Sequence, residues 1–280
     1  MHRDYELYKR AQQIRIDCTD MFHNSHTGHF GGSFSCAEII ATLYFEILNV
    51  KPEDPQWPDR DRFIISKGHG APSVYSALQQ LGFFPRKYIE EYETLCANLS
   101  THPNMHKVPG IDISTGSLGH GLSVGVGMAM AAKKDGKDYY TYVLLGDGEC
   151  NEGMIWEAAM AASHLQLDNL ITIVDRNHLC VSGNTEQVMA LEPFADKWTS
   201  FGFEVYPVDG HDISALRTVF NEAKRNRNGK PKCIMAETIK GKGVSFMEGN
   251  SSWHGAHFDD ADYERIISEL KNSMAYADKE

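Results

Sequence analysis

The chain has 280 residues, enough for one large α/β domain or two small ones, and enough to bury a core without disulfide or metal staples. It carries 27 basic and 38 acidic residues, a net charge of −11, which argues against a phosphate-backbone binder and so against a nucleic-acid partner. Hydrophobic residues make up 42% and charged residues 23%, which excludes wholesale disorder. Thirteen histidines stand out, because imidazole is the side chain best suited to proton transfer near neutral pH. The N-terminus mixes charges of both signs with no apolar stretch behind it, and no segment approaches the roughly 18 apolar residues of a membrane span. Cys18, Cys36, Cys96, Cys150, Cys180 and Cys233 are scattered, without zinc or Cys-x-x-Cys spacing. They read as reduced thiols, and the expectation is a cytoplasmic protein with no membrane contact.

Periodicity predicts a first helix over Tyr5–Phe22, with Leu7, Ala11, Ile14 and Cys18 on one face. A polar, glycine-rich break covers His23–Gly32, and a second helix runs from Ser33 or Ser35 to Leu48. Lys51–Arg60 is loop, and Arg62–Ser66 is a strand. Helices are expected over Ala71–Leu81 and Pro85–Ala97, then a long loop over Ser100–Thr115, of the kind that is usually functional. A small-residue helix spans Gly121–Lys134. Strands follow at Tyr139–Leu145, Leu170–Val174, Phe203–Val208 and Lys232–Glu237, with helices at Glu152–Leu165, Pro193–Phe201, Ile213–Arg227 and Tyr263–Leu270. About five strands alternating with helices predict one α/β domain over residues 1–280, three-layered, its mostly parallel sheet covered by helices on both faces.

The stretch Gly146-Asp147-Gly148-Glu149 falls directly after a strand and before a helix, where ligands sit in open α/β sheets. Thirty residues separate Asp147 from Asn177, one strand–helix–strand step, so the two belong at neighbouring strand tips. A carboxylate, an amide oxygen and a backbone carbonyl just beyond make half of an octahedral Mg²⁺ site, and diphosphate oxygens and water would supply the rest. Asp175 is expected to orient the Asn177 loop rather than bind the ion. Lys240 and Lys242, in glycine-rich sequence after the last strand, read as flexible loop, with a phosphate contact as the alternative.

These residues resemble the diphosphate-binding half of a transketolase. The stretch from Gly146 through Asn177 is similar to the thiamine-diphosphate signature. Thr27-Gly28-His29, Ser66-Lys67-Gly68-His69-Gly70, Gly116-Ser117-Leu118-Gly119-His120-Gly121 and Trp253-His254-Gly255-Ala256 resemble the family's other motifs, in its order. The resemblance implies Mg²⁺ (Ca²⁺ or Mn²⁺ as substitutes) on Asp147, Asn177 and the Leu179 carbonyl. It implies thiamine diphosphate against Gly148, Glu149, Asn177, His69, His254 and the Gly116–Leu118 loop (Gly116, Ser117, Leu118). It places His29, His69, His102, His254 and Glu152 among the catalytic groups, with Glu152 facing its symmetry mate across a subunit interface. His120, Phe30 and Arg176 depart from the family pattern, and His120 reads equally as a supporting group or a cofactor contact.

The family's activating glutamate lies in a pyrimidine-binding domain for which this sequence leaves no room. The chain therefore resembles the N-terminal subunit of a split transketolase. It would transfer a two-carbon ketol unit from a ketose to an aldose with a separate C-terminal subunit, as a heterotetramer. Two other readings stay open: half of a thiamine-diphosphate enzyme acting on 2-oxo acids, and a non-enzymatic cofactor-binding module.

Overall fold

The structure, a computed structural model, describes residues 2–277. The apolar stripe of α1 (His2–Ser25) is buried as expected, and the helix runs about one turn beyond its predicted bounds at each end. A two-residue strand, β1 (Thr27–Gly28), follows. The expected break and second helix are both revised. The glycine-rich segment is itself helical, as α2 (Phe30–Phe34), and is followed by α3 (Ala37–Thr42) and a π-type turn over Leu43–Ile47. Every residue of α2 and α3 is buried, so packing of Phe30 and Phe34 overrides the poor helix propensity of Gly31 and Gly32.

Strand β2 (Arg62–Ile65) and helix α4 (Ala71–Leu81) match the sequence reading. The helix expected over Pro85–Ala97 shrinks to one turn, α5 (Lys87–Glu90). Beyond it Glu93 and Cys96 adopt left-handed backbone, with φ of 56° and 67°, and the segment lacks a continuous buried face to sustain a helix. There follow α6 (His120–Lys134), β3 (Thr141–Gly146), α7 (Gly153–His164) and β4 (Leu170–Arg176). A small hairpin of β5 (Leu179–Cys180) and β6 (Gly183–Asn184) leads into α8 (Thr185–Val188) and α9 (Phe194–Ser200). Then come β7 (Glu204–Asp209), α10 (Ile213–Arg225), β8 (Lys232–Glu237), β9 (Ala256–His257) and α11 (Asp260–Ala277). The antiparallel ladders β1–β9 and β5–β6 were not foreseen, and α11 is far longer than the expected Tyr263–Leu270.

The main sheet is five-stranded and parallel throughout, in the order β2-β3-β4-β8-β7. Side chains alternate across it with period two. Phe63, Tyr142, Leu144, Ile171, Ile173 and Ile234 join a core with α1, α3, α4 and α10, while Ile64, Val143, Leu145, Val174 and Met235 face α6, α7 and α9 on the other side. This is the predicted three-layer α/β arrangement, with strands apolar on both faces because both are covered. Among the described residues no helix is long and apolar enough to cross a membrane.

A buried cluster ties the N-terminal helices to the sheet's far edge. Arg15 donates two hydrogen bonds to Glu38, each 2.7 Å long, and His211 Nδ1 lies 2.9 Å from the same carboxylate. Burial works against the Glu38 charge, but Arg15 and His211 outweigh it and pull its pKa from 4.5 to about 2. A depressed carboxyl pKa stabilises the fold fully above its unfolded value, and that stability is lost as pH falls through the folded value. Glu38→Gln is therefore expected to cost about 3 kcal/mol near neutral pH, and the gap from wild type should close as pH falls from 4.5 toward about 2. Urea unfolding at pH 7 and at pH 3 checks this, and a gap independent of pH would contradict it.

Candidate active site

The C-terminal ends of β2, β3, β4 and β8 converge on one edge of the sheet, the usual ligand position in open α/β folds. A cleft of about 450 Å³ opens there. Its floor is a buried ion pair. Lys67, just after β2, donates to Asp175 Oδ2 at 2.5 Å and to the Gly32 carbonyl at 2.6 Å. Asp175 also accepts from Ser35 Oγ at 2.6 Å, from the Thr238 hydroxyl and from Asn177 Nδ2 at 3.3 Å. Burial opposes both charges, yet each partner holds the other ionised: the lysine pKa is raised and the aspartate pKa lowered. Asp175 thus orients the Asn177 loop, as read from the sequence.

Asp147 stands at the tip of β3, beside that pair. Gly146 is in register with Asp175, which sets Asp147 next to the segment Arg176–Leu179. Asp147 Oδ1 accepts the Gly148 N–H at 2.7 Å, and Oδ2 accepts the His178 N–H at 2.6 Å and a longer contact from Arg176 at 3.3 Å. Burial and the Asp175 charge raise its pKa nonetheless. A divalent cation would relieve that penalty. Asn177 Oδ1 accepts the Leu179 N–H at 3.2 Å, and the Leu179 carbonyl accepts the Lys240 ammonium at 2.8 Å. That carbonyl therefore faces the cleft and already takes a positive partner. Three oxygen donors from adjacent strand tips, with ammonium groups beside them, suit a hard cation bridging a diphosphate. Gly148 is a close approach: a Cβ there would sit 2.9 Å from Cβ of Cys180.

For Lys240 the structure overturns the flexible-loop reading. It is 2% exposed, not part of a flexible loop, and its ammonium also lies 2.7 Å from Nδ1 of His254. Burial lowers its pKa to about 8. The signal was present but weak: a lysine just past a strand's C-terminal end, with Gly31 kept free of a side chain, since a Cβ there would meet Lys240 Cε at 2.7 Å.

Three of the expected histidines meet. The His69 ring is 5.4 Å from His29 and 5.1 Å from His254, and His29 is 5.8 Å from His254, between ring centroids. Burial lowers all three pKa values, reinforced by neighbouring imidazoles and by the Lys67 and Lys240 charges; His254 falls to about 4. All three are thus neutral at pH 7 and each offers one donor and one acceptor nitrogen. His102 is exposed and lies over Gly116, where a Cβ would come 3.2 Å from its ring. Leu118 lines the cleft, and Ser117 is exposed beside it.

The other expected residues sit differently. Glu149 lines the cleft, but its carboxylate is taken up by Ser66 Oγ and by the N–H groups of Gly119 at 2.9 Å and Gly146 at 3.0 Å. Glu152 is exposed at the start of α7 and is not part of the cleft lining. His120 is exposed too, its Nδ1 3.3 Å from the Leu118 carbonyl. Phe30 is buried between Phe22, Phe258 and Trp253, at 4.8, 4.9 and 5.5 Å, and so joins the His29 and His254 segments from behind. Arg176 links Asp147 to Thr185, Glu186 and Glu192.

Sheet, cleft and donor set together define an α/β domain whose oxygen donors, buried lysines and imidazoles converge at its strand tips. Residues 8–278 match the family model described as transketolase, thiamine diphosphate binding domain. The chain is 43% identical over 274 residues to one of the subunits of an apulose-4-phosphate transketolase from Phocaeicola vulgatus, covering 98% of this chain and 97% of that one. It is 40% identical to a 6-deoxy-6-sulfo-D-fructose transketolase subunit from a Clostridium species, over 96% of this chain and 98% of that one. The transketolase structure from Campylobacter jejuni superposes with a TM-score of 0.89 at 32% identity, covering 96% of this chain but 42% of its own, so the chain spans less than half of that enzyme. The chain belongs to the transketolase family and is a thiamine-diphosphate-binding transferase subunit.

The site makes a direct forecast about protonation. Carbon-13 NMR of the histidine rings should show His254 neutral down to pH 5, and Lys240→Met should raise its pKa toward 6.5, since a neighbouring cation is removed. Titration of His254 near pH 6.5 in the wild-type chain would contradict the geometry.

Proposed function

We propose that this chain is the diphosphate-side subunit of a two-part transketolase, folding as one domain over residues 1–280. One observation carries the reading: Asp147, Asn177 and the Leu179 carbonyl lie at neighbouring strand tips, under three neutral imidazoles. Asp147, Asn177 and Leu179 would hold Mg²⁺. The Gly148 N–H, the Gly116–Leu118 loop, His69, His254 and Lys240 would hold the diphosphate. Bound thiamine diphosphate supplies the electron sink that lets a C–C bond break and re-form. His29 and His102, with His69 and His254, would orient substrate hydroxyls and move protons through their ring nitrogens.

The carboxylates support a second subunit. The two that line the cleft are committed, Asp147 to the cation site and Glu149 to Ser66, Gly119 and Gly146. The activating glutamate would come from a C-terminal subunit carrying the pyrimidine-binding domain. The relatives named as subunits, matched nearly end to end, support this division, and so does exposed Glu152, which we place at a subunit interface in a heterotetramer. Their names point to a ketose bearing an anionic phosphate or sulfonate end. Six unpaired cysteines support a reducing, cytoplasmic setting.

Ketol transfer from a ketose phosphate should appear when the chain is mixed with the C-terminal half of a split transketolase, and neither part alone should catalyse it. Full activity of the purified chain alone would overturn the split site. In the complex, Asp147→Ala should weaken Mg²⁺-dependent cofactor binding by at least ~100-fold, because it removes the charged ligand. His29→Ala should leave cofactor affinity within ~3-fold while slowing transfer ~100-fold or more. Calorimetric titration with thiamine diphosphate, beside kcat, separates the two roles.

A further inference from the structure

Outside the cleft, among the described residues, one group of side chains is arranged as a ligand set. His23, at the end of α1, His26, just before β1, and Asp260, the first residue of α11, place one donor atom each within 4.8 Å of one another. His23 Nε2 and Asp260 Oδ1 are 2.9 Å apart, close to the roughly 3 Å between two ligands that share one ion at bonds of about 2.1 Å. The site has support behind it. The His23 ring stacks on Tyr263 at 4.2 Å and 21°, and the Tyr263 hydroxyl donates to Asp20 at 3.0 Å, which fixes the ring plane. His26 stands edge-on to His23 at 5.6 Å, and its carbonyl accepts the Phe258 N–H at 3.3 Å, next to the β1–β9 ladder. The outer side is open, since His26 and Asp260 are exposed, and water can complete the coordination.

We propose that His23, His26 and Asp260 form a transition-metal site, distinct from the cation site of the cleft. Two imidazoles and one carboxylate select Zn²⁺, Co²⁺ or Ni²⁺ and not Mg²⁺, whereas the oxygen set at Asp147 has the opposite preference. Binding takes the lone pair of His23 Nε2, with that ring's N–H carried on Nδ1, together with one ring nitrogen of His26 and one Asp260 oxygen, so two metal–nitrogen bonds and one metal–oxygen bond replace bound water. The ion joins α1, β1 and α11. Strand β1 leads directly into His29, and β9 follows His254 by one residue, so the ion pins from outside the two short strands that carry the imidazole cluster.

The test is calorimetric titration of the untagged full chain with ZnCl₂ in the presence of excess Mg²⁺. One tight zinc per chain is expected, with a rise in Tm of about 5 °C at a hundredfold excess over Kd. The double variant His23→Asn, His26→Asn should weaken binding at least ~100-fold, and Asp260→Asn, an exposed change that leaves the helix in place, about 10-fold. Asp147→Ala should bind zinc as wild type does, which keeps this result separate from the cofactor reading. Zinc binding unchanged in both the double variant and Asp260→Asn, or no zinc binding by the wild-type chain, overturns the proposal.

Discussion

The site depends on the buried contact between Lys67 and Asp175. These residues are 108 positions apart, yet both are almost wholly excluded from water. Burying two charges costs several kcal/mol each, and the pair offsets this because both groups have further hydrogen-bond partners. The Gly32 carbonyl takes one lysine proton, and Ser35, Thr238 and Asn177 complete the aspartate. Those partners come from α2, its junction with α3, and the ends of β4 and β8. One ion pair therefore fixes four segments that share no local sequence, and removing either member would strand a charge in the core. It also settles what its neighbour can do. With Asp175 paired to Lys67, Asp147 is the carboxylate proposed for the ion, and burial, with the Asp175 charge behind it, raises its pKa.

The same cations set the state of the histidines. Lys67 and Lys240 sit under His69 and His254, and burial removes the water that would stabilise an imidazolium. Neutral imidazole both donates and accepts, so a cluster kept neutral can pass a proton without first having to lose one. The basic groups here thus serve two ends at once: they make a place for an anion, and they hold adjacent rings in a useful protonation state. The chain's net charge of −11 says nothing against this, because the field at a desolvated strand tip is decided by the few buried groups around it.

Much of this was legible in the sequence, and for identifiable reasons. The five strands showed because each is a run of apolar residues bounded by Gly, Pro or Asp, and Asp147 and Asn177 showed because a fixed strand–helix–strand step separates them. What failed to show was decided by distant packing. Gly31 and Gly32 are helical because Phe30 and Phe34 are buried on either side, and Lys240 is ordered because α2 leaves a glycine for its stem. Glu149 looked like a cofactor contact by position, but its oxygens are consumed by Ser66 and two backbone N–H groups. The helix lost after Glu90 had a fair local pattern and no continuous partner surface. Local propensity is a weak prior that tertiary contact overrides.

The departures from the family pattern follow the same logic and show where this chain has room to differ. Phe30 packs its ring on Phe22, Phe258 and Trp253, which makes it a hydrophobic strut behind His29 and His254. Arg176 puts a buried guanidinium beside the carboxylate proposed for the metal, a placement that would repel a cation if it stood alone. It does not stand alone: Glu186 and Glu192 hold its other nitrogen at 3.2 and 2.9 Å, so its charge is drawn outward, away from Asp147. Asp147 accordingly keeps its shorter bonds to backbone N–H groups, at 2.6 and 2.7 Å, and only a 3.3 Å contact to Arg176. Arg176 is accommodated at the strand tip because the segment Thr185–Glu192 supplies its counter-charge.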